Sequence, residues 1–137
     1  KKFYMSRQSS NDIKVQHLRA EIRESIARLS QALSHLARID KALFDSLYDA
    51  SSEIFAVIPK FLEKRFINLL HTHRRELPAN PGVKDLEPRM KPGGWIFVFC
   101  SEMQELLLAE LEFRLQPVVG MIESLPQTIP SMRIITD

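Results

Sequence analysis

The chain has 137 residues, 45% of them apolar, and 19 Lys plus Arg against 17 Asp plus Glu give a formal net charge of +2. That length and apolar share fit one domain with a single core and exclude wholesale disorder, while near-neutrality removes any global field that would demand nucleic acid. The one cysteine, Cys100, excludes an internal disulfide and reads as a buried thiol in a reducing, cytoplasmic compartment, and no stretch approaches the roughly 20 apolar residues of a membrane span.

In chain order, Lys1 to Arg7 shows no pattern, and Ser9, Ser10, Asn11 and Asp12 form a polar cluster suited to an N-cap. A helix starting near Asp12 is predicted to carry Val15, Leu18, Ile22, Ile26, Leu29, Leu33 and Leu36 as one apolar stripe. Ser30 or Ser34 is where it would be interrupted, because serine competes with the backbone for hydrogen bonds. The stripe suits a bundle helix first and a dimeric coiled coil second. From Leu36 to Ile58 there is no Gly or Pro, and Leu36, Ile39, Leu43, Leu47 and Ala50 keep one face apolar. Pro59 either opens a new helix at its first position or kinks a continuous one. Phe61, Leu62, Phe66, Leu69 and Leu70 form a further apolar face, and Arg74-Arg75 suit the negative end of that helix.

Residues 77–92 contain Pro78, Pro81, Gly82, Pro88 and Pro92 and read as a Pro-rich loop, long enough to be mobile or functional. Gly93-Gly94 then lets a long helix begin at Trp95, although Ser101 with Gln104 also has capping-box spacing. Residues 95–108 are apolar nearly all round, as expected when neighbours cover both sides. Trp95, Phe99, Met103, Leu107, Leu111 and Arg114 are the expected structural core of this helix. Glu110, set among Leu106, Leu107 and Leu111, is expected to form a buried ion pair with Arg114 or Arg65. Pro117 lacks the amide that would bond back to Phe113, so a bend or break is predicted there. Residues 126–137 read as an extended tail whose Ile129, Met132, Ile134 and Ile135 could dock on a groove or pair with another chain.

No catalytic set emerges along this path. His71 and His73 diverge by about 200° on a helix and cannot share a metal, and no Glu-x-x-His pairs accompany the carboxylates. Gly93-Gly94 lacks the Lys-Ser/Thr that a phosphate loop needs, and the apolar run around Cys100 disfavours a thiolate. The reading is therefore a non-enzymatic domain without metal or cofactor. A basic run does stand out: Lys60, Lys64, Arg65, His71, His73, Arg74 and Arg75 face only Glu63 locally, whereas residues 101–125 hold five Glu and one Arg. Either this cluster binds phosphate, in nucleic acid or anionic headgroups, or it packs beside the acidic helix. The second is preferred, since no aromatic residues interleave for base stacking.

The pattern PGGWIFVFCSEMQELLLAELEFRLQPVVGMIESL, preceded by VIPKFLEKRF, resembles an uncharacterised family of proteobacterial proteins with no assigned function. The resemblance covers about Phe3 to Leu125 and rests on Trp95, Phe99, Met103-Gln104, the Leu-Leu-Leu-Ala-Glu-Leu run, Arg114 and Gln116-Pro117. Members of that family are often encoded near membrane proteins resembling flagellar-type motor or peptidoglycan-anchoring components, which implies an accessory role beside such an assembly. No catalytic residues carry over from it. The expected fold is an all-α antiparallel bundle of about four helices, one domain over 1–125, kinked at Pro59 and Pro117. Its expected role is an interaction or scaffold domain for a protein partner or a second copy, with phosphate binding through residues 60–75 as the alternative.

Overall fold

The computed structural model describes residues 1–126, and the tail positions Ile129, Met132, Ile134 and Ile135 lie outside the described residues. Among the described residues all regular structure is helical: α1 (Lys2–Ala27), α2 (Gln31–Ala56), α3 (Ile58–Thr72), the single-turn α4 (Val83–Leu86) and α5 (Trp95–Glu123). The four long helices pack as a bundle.

α1 starts at Lys2, ten residues before Asp12, where the polar cluster suggested its N-terminus. Its inward face is mostly polar in the first half, with only Tyr4, Val15 and Ile26 buried over its length, so apolar periodicity does not mark where it begins. Asp12 consequently sits mid-helix. The single stripe expected from Val15 to Leu36 is divided between two helices. Ser30 adopts extended dihedrals and its Oγ accepts from the Leu33 amide at 3.2 Å, an N-cap that starts α2 after a two-residue turn. The reversal brings Ile26, Leu33, Ala37 and Met121 into one buried cluster, flanked by Ile22, Leu36 and Leu125.

At the other end of α2, Val57 keeps helical dihedrals while its amide bonds the Ile54 carbonyl at 3.3 Å, a tightened turn that separates α2 from α3. Pro59 lies in the first turn of α3, where its missing N–H leaves the Phe55 carbonyl without its helical donor. Gln8 of α1 supplies the substitute: its Nε2 donates to Phe55 O at 2.9 Å.

Residues 74–92 are more structured than a loop. Two short 3₁₀ turns, 74–76 and 87–90, flank α4, and Arg89 braces them by donating to the carbonyls of Glu76 (2.5 Å) and Asp85. This brace explains the glycine pair. A Cβ on Gly94 would lie 2.1 Å from Arg89 O, and Gly93 turns the chain with φ of +90°. α5 then runs 29 residues and passes Pro117 without a break, ending at Glu123. Its first half is covered on one side only: Trp95 is buried, whereas Phe97, Val98 and Leu108 are exposed, contrary to the all-round burial expected.

The chain runs along α1, returns along α2 and α3, and runs forward again along α5. α1 and α5 are parallel and in steady register, with Gln8 opposite Glu110 and Asp12 opposite Arg114. α3 is antiparallel to the first half of α5, placing Arg65 on Glu102 and Phe66 on both Trp95 and Phe99. α1 packs extensively on α2 and on α5, while α2 and α5 meet only sparsely. The result occupies three corners of a four-helix square and leaves the corner between α2 and α5 open.

Candidate interaction groove

The open corner is a groove of about 510 Å³ whose floor is α1 and whose walls are α2 and α5. The floor is polar and tied into two clusters. Arg19 Nε and Nη2 donate to Asp40 at 2.6–3.1 Å and Arg23 Nη1 adds a bond at 3.0 Å, so one buried carboxylate holds two arginines. Both guanidinium groups also lie over the Phe44 ring, 5.1 and 5.6 Å from its centroid. In the second cluster Asp12 accepts from Arg114, from Tyr48 Oη at 2.6 Å and from Gln16 Nε2 at 2.8 Å. The bond to Asp12 pushes the Tyr48 hydroxyl above its ordinary pKa. Arg114 covers the Phe55 ring at 4.5 Å, and its Nε is a floor donor with no partner among the described residues.

The walls have the opposite character. Ile39, Leu43 and Leu47 on α2 are 57%, 52% and 56% exposed, and Phe113 on α5, set edge-on to Phe55 at 5.6 Å, is 61% exposed. A surface with this much contiguous apolar area, and a floor whose charges are already paired, suits another apolar side-chain row better than a polar substrate. Among the described residues no three His, Cys, Asp or Glu side chains gather as metal ligands.

Behind the groove, a third cluster joins three helices. Tyr4 Oη donates to Glu110 Oε1 at 2.5 Å, and Gln8 Nε2 reaches both Glu110 oxygens at 3.0 and 2.9 Å as well as Phe55 O. Burial, reinforced by this bond to Glu110, raises the Tyr4 pKa far above the ordinary tyrosine value. The expected ion pair of Glu110 with Arg114 or Arg65 is thus replaced. Arg114 is drawn across to Asp12, and Arg65 lies next to Glu102 at 2.8 Å, where it holds that carboxyl below its usual range.

The seven basic residues singled out in the sequence separate into two groups. Arg65 turns to Glu102 and His73 stacks flat on Trp95, 5.6 Å between ring centroids and 2° from parallel, with Nδ1 3.3 Å from Glu76. Lys60, Lys64, His71, Arg74 and Arg75 are exposed, and the first three share one face of α3. Of the residues expected to form the core, Trp95 is buried and Phe99, Met103, Leu107, Leu111 and Arg114 are half-buried; Cys100 is half-buried too. Tyr4, Gln8, Gln16 and Asp40 had no place in the sequence reading, and Asp12 entered it only as part of a candidate N-cap. Their signal was a row at helical spacing on α1 (4, 8, 12, 16, 19, 23) that is polar, not apolar.

No curated protein and no solved structure matches this chain. The stretch that builds the three-cornered bundle and its groove is nonetheless one unit in sequence: residues 1–127 match the model of the family described as protein of unknown function DUF3348, and the chain belongs to that family.

Proposed function

We propose that this is a non-enzymatic interaction domain whose groove between α2 and α5 receives a helix from a protein partner. The observation that carries it is the vacant corner itself, walled by half-exposed Ile39, Leu43, Leu47 and Phe113 above a floor of internally paired charges. A helix laid into such a corner completes the core of a four-helix bundle and covers apolar surface that water otherwise solvates. The lone thiol fits a reducing cytoplasmic setting. No described helix is long and apolar enough to cross a membrane, so an accessory role beside a bacterial membrane assembly would run through a protein face of this kind. A photo-crosslinking residue placed at Leu47 in living cells tests the reading, with Lys14 on the outer side of α1 as the control position. The expected result is a protein adduct at Leu47 and not at Lys14. No adduct, or equal adducts at both, would refute it.

A second reading has its own observation. Lys60, Lys64 and His71 lie on one outer face of α3 with no acidic partner among the described residues, as a phosphate-binding stripe requires. Titration of labelled DNA and RNA at several salt concentrations decides it: a steep loss of binding with salt supports it, and no binding at low salt removes it.

A further inference from the structure

We propose that the helix received by the open corner is amphipathic with basic flanks, a row of apolar side chains bordered by lysine or arginine. This rests on the groove being a helix-binding site and goes further by stating the chemistry of its occupant. Within the groove the charges of the floor are already paired, Asp12 with Arg114 and Asp40 with Arg19 and Arg23. Along its edges they are not. On α2, where Ile39, Leu43 and Leu47 line the groove, Glu53 stands about 80° and Asp49 about 120° from Leu43, on the side away from Asp40, Phe44 and α1. On α5, Glu123 stands about 80° and Glu112 about 100° from Phe113, again on the side away from the floor residue Arg114. A helix lying in the corner therefore meets carboxylates along both of its flanks.

All four of these side chains are exposed, and none belongs to an ion pair among the described residues. Nearby cations do not offset them. Residues 42–59 hold Asp45, which Lys41 pairs, together with Asp49 and Glu53, and contain no Lys, Arg or His. In residues 103–126 the one cation is Arg114, which is turned to Asp12 on the floor. The backbone adds an acceptor to the same wall. Pro117 lines the groove and removes the helical donor of the Phe113 carbonyl, and among the described residues no side chain replaces it as Gln8 does at Pro59. An occupant with Lys or Arg beside its apolar row brings donors to these oxygens and opposite charge to both edges. The same charges disfavour other occupants. A second α2 would bring Asp45, Asp49 and Glu53 toward edges of the same sign, and residues 127–137 hold one Arg and one Asp, with no positive surplus.

A displayed library of helices about 18 residues long, with a fixed apolar seam and flanks randomised among Lys, Gln and Glu, tests the proposal when selected on the full chain at about 0.1 M salt. Lys is expected to dominate the flanks of the selected helices. A selected peptide remade with Glu at those flanks should bind at least about tenfold more weakly by fluorescence anisotropy, and about 1 M salt should remove most of that difference. The variant Glu53→Lys/Glu112→Lys changes two exposed side chains and leaves the core alone, and it should abolish the preference for Lys. Leu47→Glu, at a position 56% exposed and with helicity checked by circular dichroism, should abolish binding of both peptides.

Selected helices with Glu or uncharged flanks, or a Lys preference that survives Glu53→Lys/Glu112→Lys, would overturn the basic partner and leave the helix-binding groove standing. So would a photo-crosslink from Leu47 in the purified chain to residues 127–137 or to a second copy, if the Lys-flanked peptide fails to displace it. No selected helix at all, or binding that Leu47→Glu leaves untouched, would overturn both.

Discussion

Removing one hydroxyl group, by Tyr4→Phe, probes the buried cluster behind the groove. Tyr4 is 1% exposed and Glu110 5% exposed, so the bond between them is made away from water and to a carboxylate acceptor. Bonds to charged groups contribute about 1.5–3 kcal/mol, and the variant leaves Glu110 with Gln8 alone, so a loss of about 2 kcal/mol at pH 8 is expected. The pH dependence is the sharper part. Tyr4 has a folded pKa raised above the unfolded value of about 10, so its contribution is fully present below pH 10 and is lost as the pH climbs beyond it. The unfolded tyrosine ionises first, favouring unfolding of the wild type by about 1.4 kcal/mol at pH 11, a term that Tyr4→Phe lacks. Urea unfolding followed by far-ultraviolet circular dichroism at pH 8, 9, 10 and 11 measures both effects. Tyr48 also titrates high but is common to both proteins and cancels. A loss below about 0.5 kcal/mol at pH 8, or a gap that stays constant to pH 11, would refute the argument.

Three further outcomes follow from the geometry. Gly94→Ala drives a methyl group into the Arg89 carbonyl, and a backbone atom cannot swing aside as a side chain can. A cost of about 2 kcal/mol or more, seen as a clear drop in melting temperature, is expected, and an unchanged Tm would contradict it. Asp40→Ala strands Arg19 and Arg23, both about seven-eighths buried, and should cost about 3–5 kcal/mol of unfolding free energy measured by urea titration. The Arg65–Glu102 pair, 41% and 36% exposed, should couple by less than 1 kcal/mol in a double-alanine cycle. Because Arg65 lowers the Glu102 pKa, that coupling should be present at neutral pH, above the unfolded carboxyl's value, and fade as acid protonates the folded carboxyl. A coupling that persists at pH 2 would count against it.

The parts of this fold that are apolar were legible in the sequence. The helix from Trp95, the break near Pro59 and the Leu-rich face of α2 follow from spacing that depends only on neighbours along the chain. The start of α1 was not legible, because Tyr4, Gln8 and Asp12 join the bundle by hydrogen bonds to residues about a hundred positions away, and no local pattern announces such partners. The partner of Glu110 was misjudged for the same reason: the nearest arginine in sequence, Arg114, found a stronger claim on another helix. In the groove, Leu43 and Leu47 were visible as an apolar face, but only the packing shows that this face is left uncovered while its neighbour is buried.

The amide of Gln8 that replaces the proton donor missing at Pro59 changes what the corner between α2 and α3 is. A proline kink left to itself is a pivot, its freed carbonyl turning toward whatever solvent offers. Here that carbonyl is held by a residue 47 positions upstream, and the same nitrogen is shared with a carboxylate on α5. The corner cannot straighten without α1 letting go of two helices at once. A peptide comprising only residues 31–72 should therefore form its helices without fixing the angle between them, and that angle is set when α1 arrives.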